Sequence, residues 1–260
     1  MKCPYIKSLI ILLAIVTIAA CKKDDGDNPT TDPKAENRKA LGTSAEDILS
    51  EDIYTKLTVE IVYSGGFRPT DATIVGLQNF LNQRVNKPEG ISINETFIDA
   101  PAGAPFTIEE IRAIEEEHRT IYTVDNSIAI YIFFANGSNA GDTSTTVTLG
   151  SAYRNTSIVV YEKTIRDLAN NSANIDLTEL ELSTLTHEFG HIFGLVNIQS
   201  DDIHTSHEDT AHLKHCMVED CLMYFESTNG LLLVELLENR RPVPGFDPLC
   251  IADLQAKGGK

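Results

Sequence analysis

The chain has 260 residues, a formal net charge of −17 and 42% hydrophobic residues, with no tryptophan. That acidic balance, without a basic stripe to hold phosphates, excludes nucleic acid as an expected partner. The part after the N-terminal region is long enough for one domain with a sizeable core, and no internal repeat divides it.

The first twenty residues read as a targeting segment. Lys2 and Lys7 precede an apolar run from Leu9 to Ala20 that is short for about 30 Å of hydrocarbon, as in a signal peptide. The run ends Ile18-Ala19-Ala20-Cys21, which resembles the lipobox of bacterial lipoproteins. Cleavage there would put lipid on Cys21 and anchor the mature protein without a membrane span; an ordinary secretory signal cut after Ala20 is the alternative. The resemblance implies an outer-membrane lipoprotein on the periplasmic or cell-surface face, with Lys22-Lys23-Asp24-Asp25 similar to the start that directs some lipoproteins outward. Cleavage removes two lysines and no acid, leaving −19. Residues 21–50 are expected to form a disordered tether, since 22–40 hold almost nothing to bury. Residues 51–260 are expected to form the domain.

Within it, Leu57 to Tyr63 is a β-rich strand ended by Ser64-Gly65-Gly66. Ile74, Leu77, Phe80 and Leu81 give helical spacing between about Thr70 and Val85. Ile91 to Ile98 alternates as a half-buried strand. Thr107 to His118 is a helix with the capping box Thr107-Ile-Glu-Glu110. Ser127 to Phe134 is nearly all apolar, as in a strand covered on both faces. Thr145 to Tyr153 and Ser157 to Tyr161 are expected as a hairpin around Arg154-Asn155-Thr156. A helix starts near Asp176 or Thr178, with Thr178 and Glu181 spaced as another capping box, and Leu185, Phe189, Ile192 and Phe193 form its core face. Gly194 reads as its C-cap. Beyond 195 the chain is loop-rich, with helices near 228–239 and 248–256. The order β-α-β-α-β-β-β-α gives an α/β domain.

The chemistry concentrates in His187-Glu-Phe-Gly-His191. Two histidines four apart project from one helix face and can share one zinc ion, with Glu188 beside them as general base: the H-E-x-x-H arrangement of zinc peptidases. A catalytic zinc needs a third protein ligand. Six of the seven histidines fall between 187 and 215 (His187, His191, His204, His207, His212 and His215); only His118 lies elsewhere, on a surface helix.

The motif through Gly194 resembles the metzincin clan, whose third histidine would stand where this chain has Asn197, a poor zinc ligand. Further on, His215-Cys216-x-x-x-x-Cys221-Leu222-Met223 resembles the archaemetzincin continuation. That resemblance implies His215 as third ligand, with residues 197–214 as an insertion of the kind leishmanolysin-like enzymes carry, and His207 or His212 as alternatives. It implies Met223 as a packing floor beneath the zinc and a metzincin-like fold with an antiparallel edge strand, around 145–153, that binds extended substrate. Tyr224 is available to an oxyanion. Archaemetzincins hold a second, structural zinc with four cysteines; here Asp247 stands where one would be, beside Cys250. A disulfide of Cys250 with Cys216 or Cys221 is therefore expected, with a site of three cysteines and Asp247 as the alternative. Together these readings imply a monomeric zinc endopeptidase acting on peptides or proteins. The contrasting reading is a non-catalytic surface lipoprotein that binds metal or a partner.

Overall fold

The computed structural model describes residues 32–260 apart from 173, 225–229 and 239–243. The targeting segment, Cys3 and Cys21 lie outside the described residues. No helix among the described residues is long and apolar enough to cross a membrane.

The fold is α/β, a five-stranded mixed sheet with helices on both faces. In chain order its elements are α1 (Ala45–Leu49), β1 (Lys56–Ser64), α2 (Asp71–Arg84), β2 (Ile91–Ile98), α3 (Ile108–His118), β3 (Ser127–Phe134), β4 (Gly150–Arg154), β5 (Ser157–Val160), α4 (Glu162–Asn171), α5 (Leu177–Ile192), α6 (Gly230–Glu238) and α7 (Pro248–Ala256). The strand order is β2-β1-β3-β5-β4. All neighbours are parallel except β4, which runs antiparallel to β5 and closes one edge.

The period of two along each strand sorts side chains between two cores. On one face Val59, Ile61, Ile130, Ile132 and Ile158 pack with Leu77 and Leu81 of α2 and Leu185 and Phe189 of α5. On the other, Val62, Tyr131, Phe133 and Val159 meet Ile111 and Ile114 of α3. With both faces covered, β3 is buried at every position after Ser127, which accounts for its continuous apolar sequence.

Several boundaries differ from the sequence reading. The segment from 32 to 50, expected as tether, belongs to the packed domain. Ile48 and Leu49 are fully buried. The buried Asn37 donates to Ala129 O (2.9 Å) and Thr156 Oγ1 (3.0 Å) and accepts from Thr123 N (2.8 Å). One amide satisfied on three sides holds this polar stretch where composition alone promises no core.

The strand expected from Thr145 starts only at Gly150. The preceding threonines bond locally, Thr145 N and Thr146 N both donating to Thr143 Oγ1, which competes with a ladder. The N-cap of α5 is Asp176, whose carboxylate accepts from Thr178 N and Glu179 N. Glu181 does not close a box with Thr178; it is fully buried and accepts from Thr70 N (3.0 Å) and Thr73 Oγ1 at the start of α2. Helix α4, not expected from the sequence, follows β5 directly and has no side-chain cap.

Candidate active site

The last two turns of α5 carry His187, Glu188 and His191, all less than a tenth exposed. The helix ends at Phe193, and Gly194, at φ +70°, turns the chain away. Glycine is needed there twice: for the left-handed conformation, and because a Cβ would stand 3.1 Å from that of Ala45. Val196 and Asn197 follow at φ +56° and +62°, uncommon for such residues and strained for a β-branched one. Asn197 is not among the residues that converge with His187 and His191. Its N–H donates to Asp202 Oδ2 (2.6 Å) and its amide to Glu208 Oε2 (3.2 Å), so it fastens the loop.

That loop brings His215 back to the helix. Its ring stacks 5.5 Å from His187 and stands edge-on 5.1 Å from His191. One ring nitrogen from each of the three lies within 4.8 Å of the others. His187 Nε2 and His191 Nε2 are 3.2 Å apart; the edge of a tetrahedron with bonds of 2.0–2.1 Å is about 3.3–3.4 Å. His187 Nδ1 donates to the Leu222 carbonyl (2.6 Å), which leaves its Nε2 lone pair toward the cluster. His215 Nδ1 reaches the Leu213 carbonyl (3.2 Å), and its Nε2 is buried without a hydrogen-bond partner, as is His191 Nδ1. An orphaned acceptor and two nitrogens nearly in contact fit a divalent cation between them.

Electrostatics agree with that fit. Burial pushes His187 down to about 3, with His215 adding to it, and drives His191 well below the usual histidine range; His215 is lowered by burial as well. Each shift favours the neutral imidazole, the form that ligates metal. Burial pushes the Glu188 carboxyl up to about 8, opposed by a hydrogen bond from Ala152 N to Oε2 (2.7 Å). Gly150 makes that bond possible, because a Cβ there would meet Thr184 Cγ2 at 2.8 Å and Glu188 Cγ at 3.0 Å. Strand β4 therefore lies close against α5. A cleft of about 300 Å³ opens at this point, lined by Gly150, Ser151, Ala152, Glu188, His191 and His215 among others.

Met223 is fully buried beneath the helix, against Gly190. The other histidines are elsewhere. His212 pairs with Asp209 on the exposed part of the loop (2.7 Å), His204 bonds Asp253 (2.9 Å), and His118 ends α3. His207 is buried in a second cluster with Cys216, Asp247 and Cys250. There the expected disulfide is not formed. Cys216, Cys221 and Cys250 are all free, and the Cys221 and Cys250 sulfurs are 3.7 Å apart. Asp247 caps α7 through Oδ1, accepting from Leu249 N (2.7 Å), while its Oδ2 is 3.3 Å from Cys216 Sγ.

Three features of these sites were not read from the sequence: the Ala152 N–H on Glu188, the Leu222 carbonyl on His187, and His207 among the cysteines. The first two are backbone groups without a residue signature. The third had one, since His207-x8-Cys216-x4-Cys221 already holds a soft donor set with a histidine in it.

No family model matches the chain, and no curated protein matches it. Among solved structures, the chain is similar to the crystal structure of archaemetzincin from Methanopyrus kandleri, at 19% identity over 78% of this chain and 96% of that one, with a TM-score of 0.46.

Proposed function

We propose that the protein is a zinc-dependent endopeptidase in which His187, His191 and His215 hold the metal and Glu188 is the general base. The observation that carries this reading is the convergence of three imidazoles beside a buried carboxyl in one cleft. When bound, zinc supplies a Lewis acid for a peptide carbonyl and makes water acidic near neutral pH. Ala152 N–H holds Glu188 Oε2, so Oε1 is the oxygen available for proton transfer. It would take the proton of the attacking water and return it to the departing amine.

A peptide substrate suits the cleft better than a small molecule. Strand β4 is the sheet edge, and an extended chain can pair with its free side. The acidic surface disfavours strongly acidic substrates. We further propose that Cys21 carries lipid and tethers a monomer to the outer membrane.

The test is Glu188→Gln in the mature chain, assayed on casein and a peptide library at equal zinc content. Retained zinc with cleavage reduced by roughly 10²–10⁴ is expected; cleavage at the wild-type rate would refute the mechanism. A zinc-loaded wild type that hydrolyses nothing would leave the metal- or partner-binding lipoprotein instead. For the anchor, Cys21→Ala should move the protein from the membrane to the soluble fraction.

A further inference from the structure

Building on the peptidase reading of the cleft, we propose that Lys214 pairs with a carboxylate of the substrate within a residue or two of the scissile bond. The carboxylate is either an acidic side chain or a free C-terminus.

The cleft beside His215 has two kinds of wall. Leu41, Ile198 and Leu213 are apolar, and Lys214 brings a positive charge. Leu41 comes from the N-terminal segment, which is pinned to the loop after α5. Gln199 Nε2 donates to the Leu41 carbonyl (2.5 Å). Gly42, at φ +81°, lies so close that a Cβ would stand 2.5 Å from Ile198 Cγ2.

Lys214 occupies an unfavourable backbone position. Its φ is +69°, in a turn that the His215 N–H closes on the His212 carbonyl (3.1 Å). Glycine or asparagine is the usual residue at such a place. A lysine there keeps strain that glycine would remove, and strain of this kind clusters at functional sites.

The ammonium also lacks a counter-ion of its own. Lys34, Lys39, Lys163 and Lys257 each pair with a carboxylate; Lys214 has none among the described residues. The acids of its own loop are engaged otherwise. Glu208 Oε1 accepts from the Lys214 backbone N–H (3.4 Å) and Oε2 from Asn197 Nδ2 (3.2 Å). Asp209 accepts from Ala211 N (2.8 Å) and His212 Nδ1 (2.7 Å).

Beside apolar walls that displace water, an ion pair is stronger than on an open surface. A single carboxylate meets Lys214, while a strongly acidic peptide is still repelled by the rest of the chain. Residues of an extended substrate are about 3.3–3.6 Å apart. Because Lys214 adjoins His215, the carboxylate it reaches belongs close to the reacting bond.

The experiment measures the affinity of fluorescent alanine–leucine peptides for the full mature chain carrying Glu188→Gln and loaded with zinc, beside kcat/KM on wild type. One set has amidated C-termini and carries Glu or Gln at each position in turn. The other has no acidic side chain and a free or amidated C-terminus. In one set the acid should bind roughly tenfold more tightly than its matched amide, above an exposed ion pair and at the low end for a hydrogen bond to a charged group. Preference in the first set identifies a side chain, and in the second a terminal carboxylate. Lys214→Arg should keep the preference. Lys214→Met should abolish it, as should Lys214→Gly, which relaxes the turn; Lys214→Glu should favour the amide. A carboxylate that goes to zinc instead would keep its advantage in Lys214→Met. That result, equal affinity within both sets, or no binding at all would overturn the proposal. Affinity is read without turnover, so the two readings fail separately. Preference without cleavage by wild type refutes catalysis alone, and cleavage with equal kcat/KM within every pair refutes the role of Lys214 alone.

Discussion

Gly190 lies between the two helix histidines, and replacing it with alanine sets two effects against each other. Alanine is the better helix former by about 0.8–1.0 kcal/mol, so an unconstrained helix would gain. Here a methyl group would overlap Met223 Sδ and lie 3.0 Å from Met223 Cε and 3.2 Å from Phe246 Cε1. Ordinary carbon contacts are about 3.5–4.0 Å, so even the two carbon contacts are short by roughly 0.3–1 Å. Met223 is flexible in principle, but it is fully buried and its carbonyl accepts from Cys216 N (2.8 Å). Overpacking of this kind costs typically about 1–3 kcal/mol, and the sulfur overlap places it near the upper end. The net expectation is a loss of about 2 kcal/mol. Any shift of Met223 also moves Leu222, whose carbonyl holds His187, so zinc affinity should fall by roughly 10–100-fold. Urea denaturation of metal-free protein measures the first effect, and chelator competition measures the second. A variant as stable as wild type with unchanged zinc affinity would show that helix propensity wins and that Met223 is no fixed floor.

Other perturbations separate the site from its scaffold. His215→Ala should weaken zinc binding by more than the 10–100-fold of an outer-shell change, whereas His212→Ala should leave it unchanged; equal losses in chelator competition would contradict the assignment. On the buried contact between α4 and α5, Glu162 is pushed up to about 10, first by burial and then by Glu181, against the Arg166 guanidinium 2.6 Å from its Oε1. The native state therefore keeps a proton that the unfolded chain releases above about pH 4.5, so this group's stabilising contribution is complete at low pH and is lost as pH rises toward 10. Glu162→Gln should remove that decline, so that the variant gains on wild type as pH rises from 5 to 8. Parallel stability–pH curves for variant and wild type would count against it.

What the sequence discloses about this protein follows the range of the interactions. Ile91–Ile98 and the Thr107–Glu110 capping box are set by residues a few positions apart, and both are found where pattern places them. The motif helix is equally local, since His187 and His191 share a face by helix geometry alone. The N-terminal segment is not local. Asn37 joins the fold through Ala129 and Thr156, and polar composition gives no sign of it. Glu181 is placed by Thr70 and Thr73, a tertiary contact that displaces the capping box its own neighbours offer. Helix α4 lacks both a side-chain cap and a turn before it, the two marks by which short helices are found. The third histidine lies between these cases. Four histidines follow the helix, and local spacing treats them alike; only the path of the loop from Gly194 separates His215, beside the helix pair, from His207, among the cysteines.

Anomalous diffraction at the zinc edge tests that path most directly. One peak about 2.0–2.1 Å from a ring nitrogen of each of His187, His191 and His215 is expected, in the cleft that Glu188 lines. A peak bound to the helix pair but completed by His207 or His212, or no peak there in zinc-loaded protein, would contradict the account.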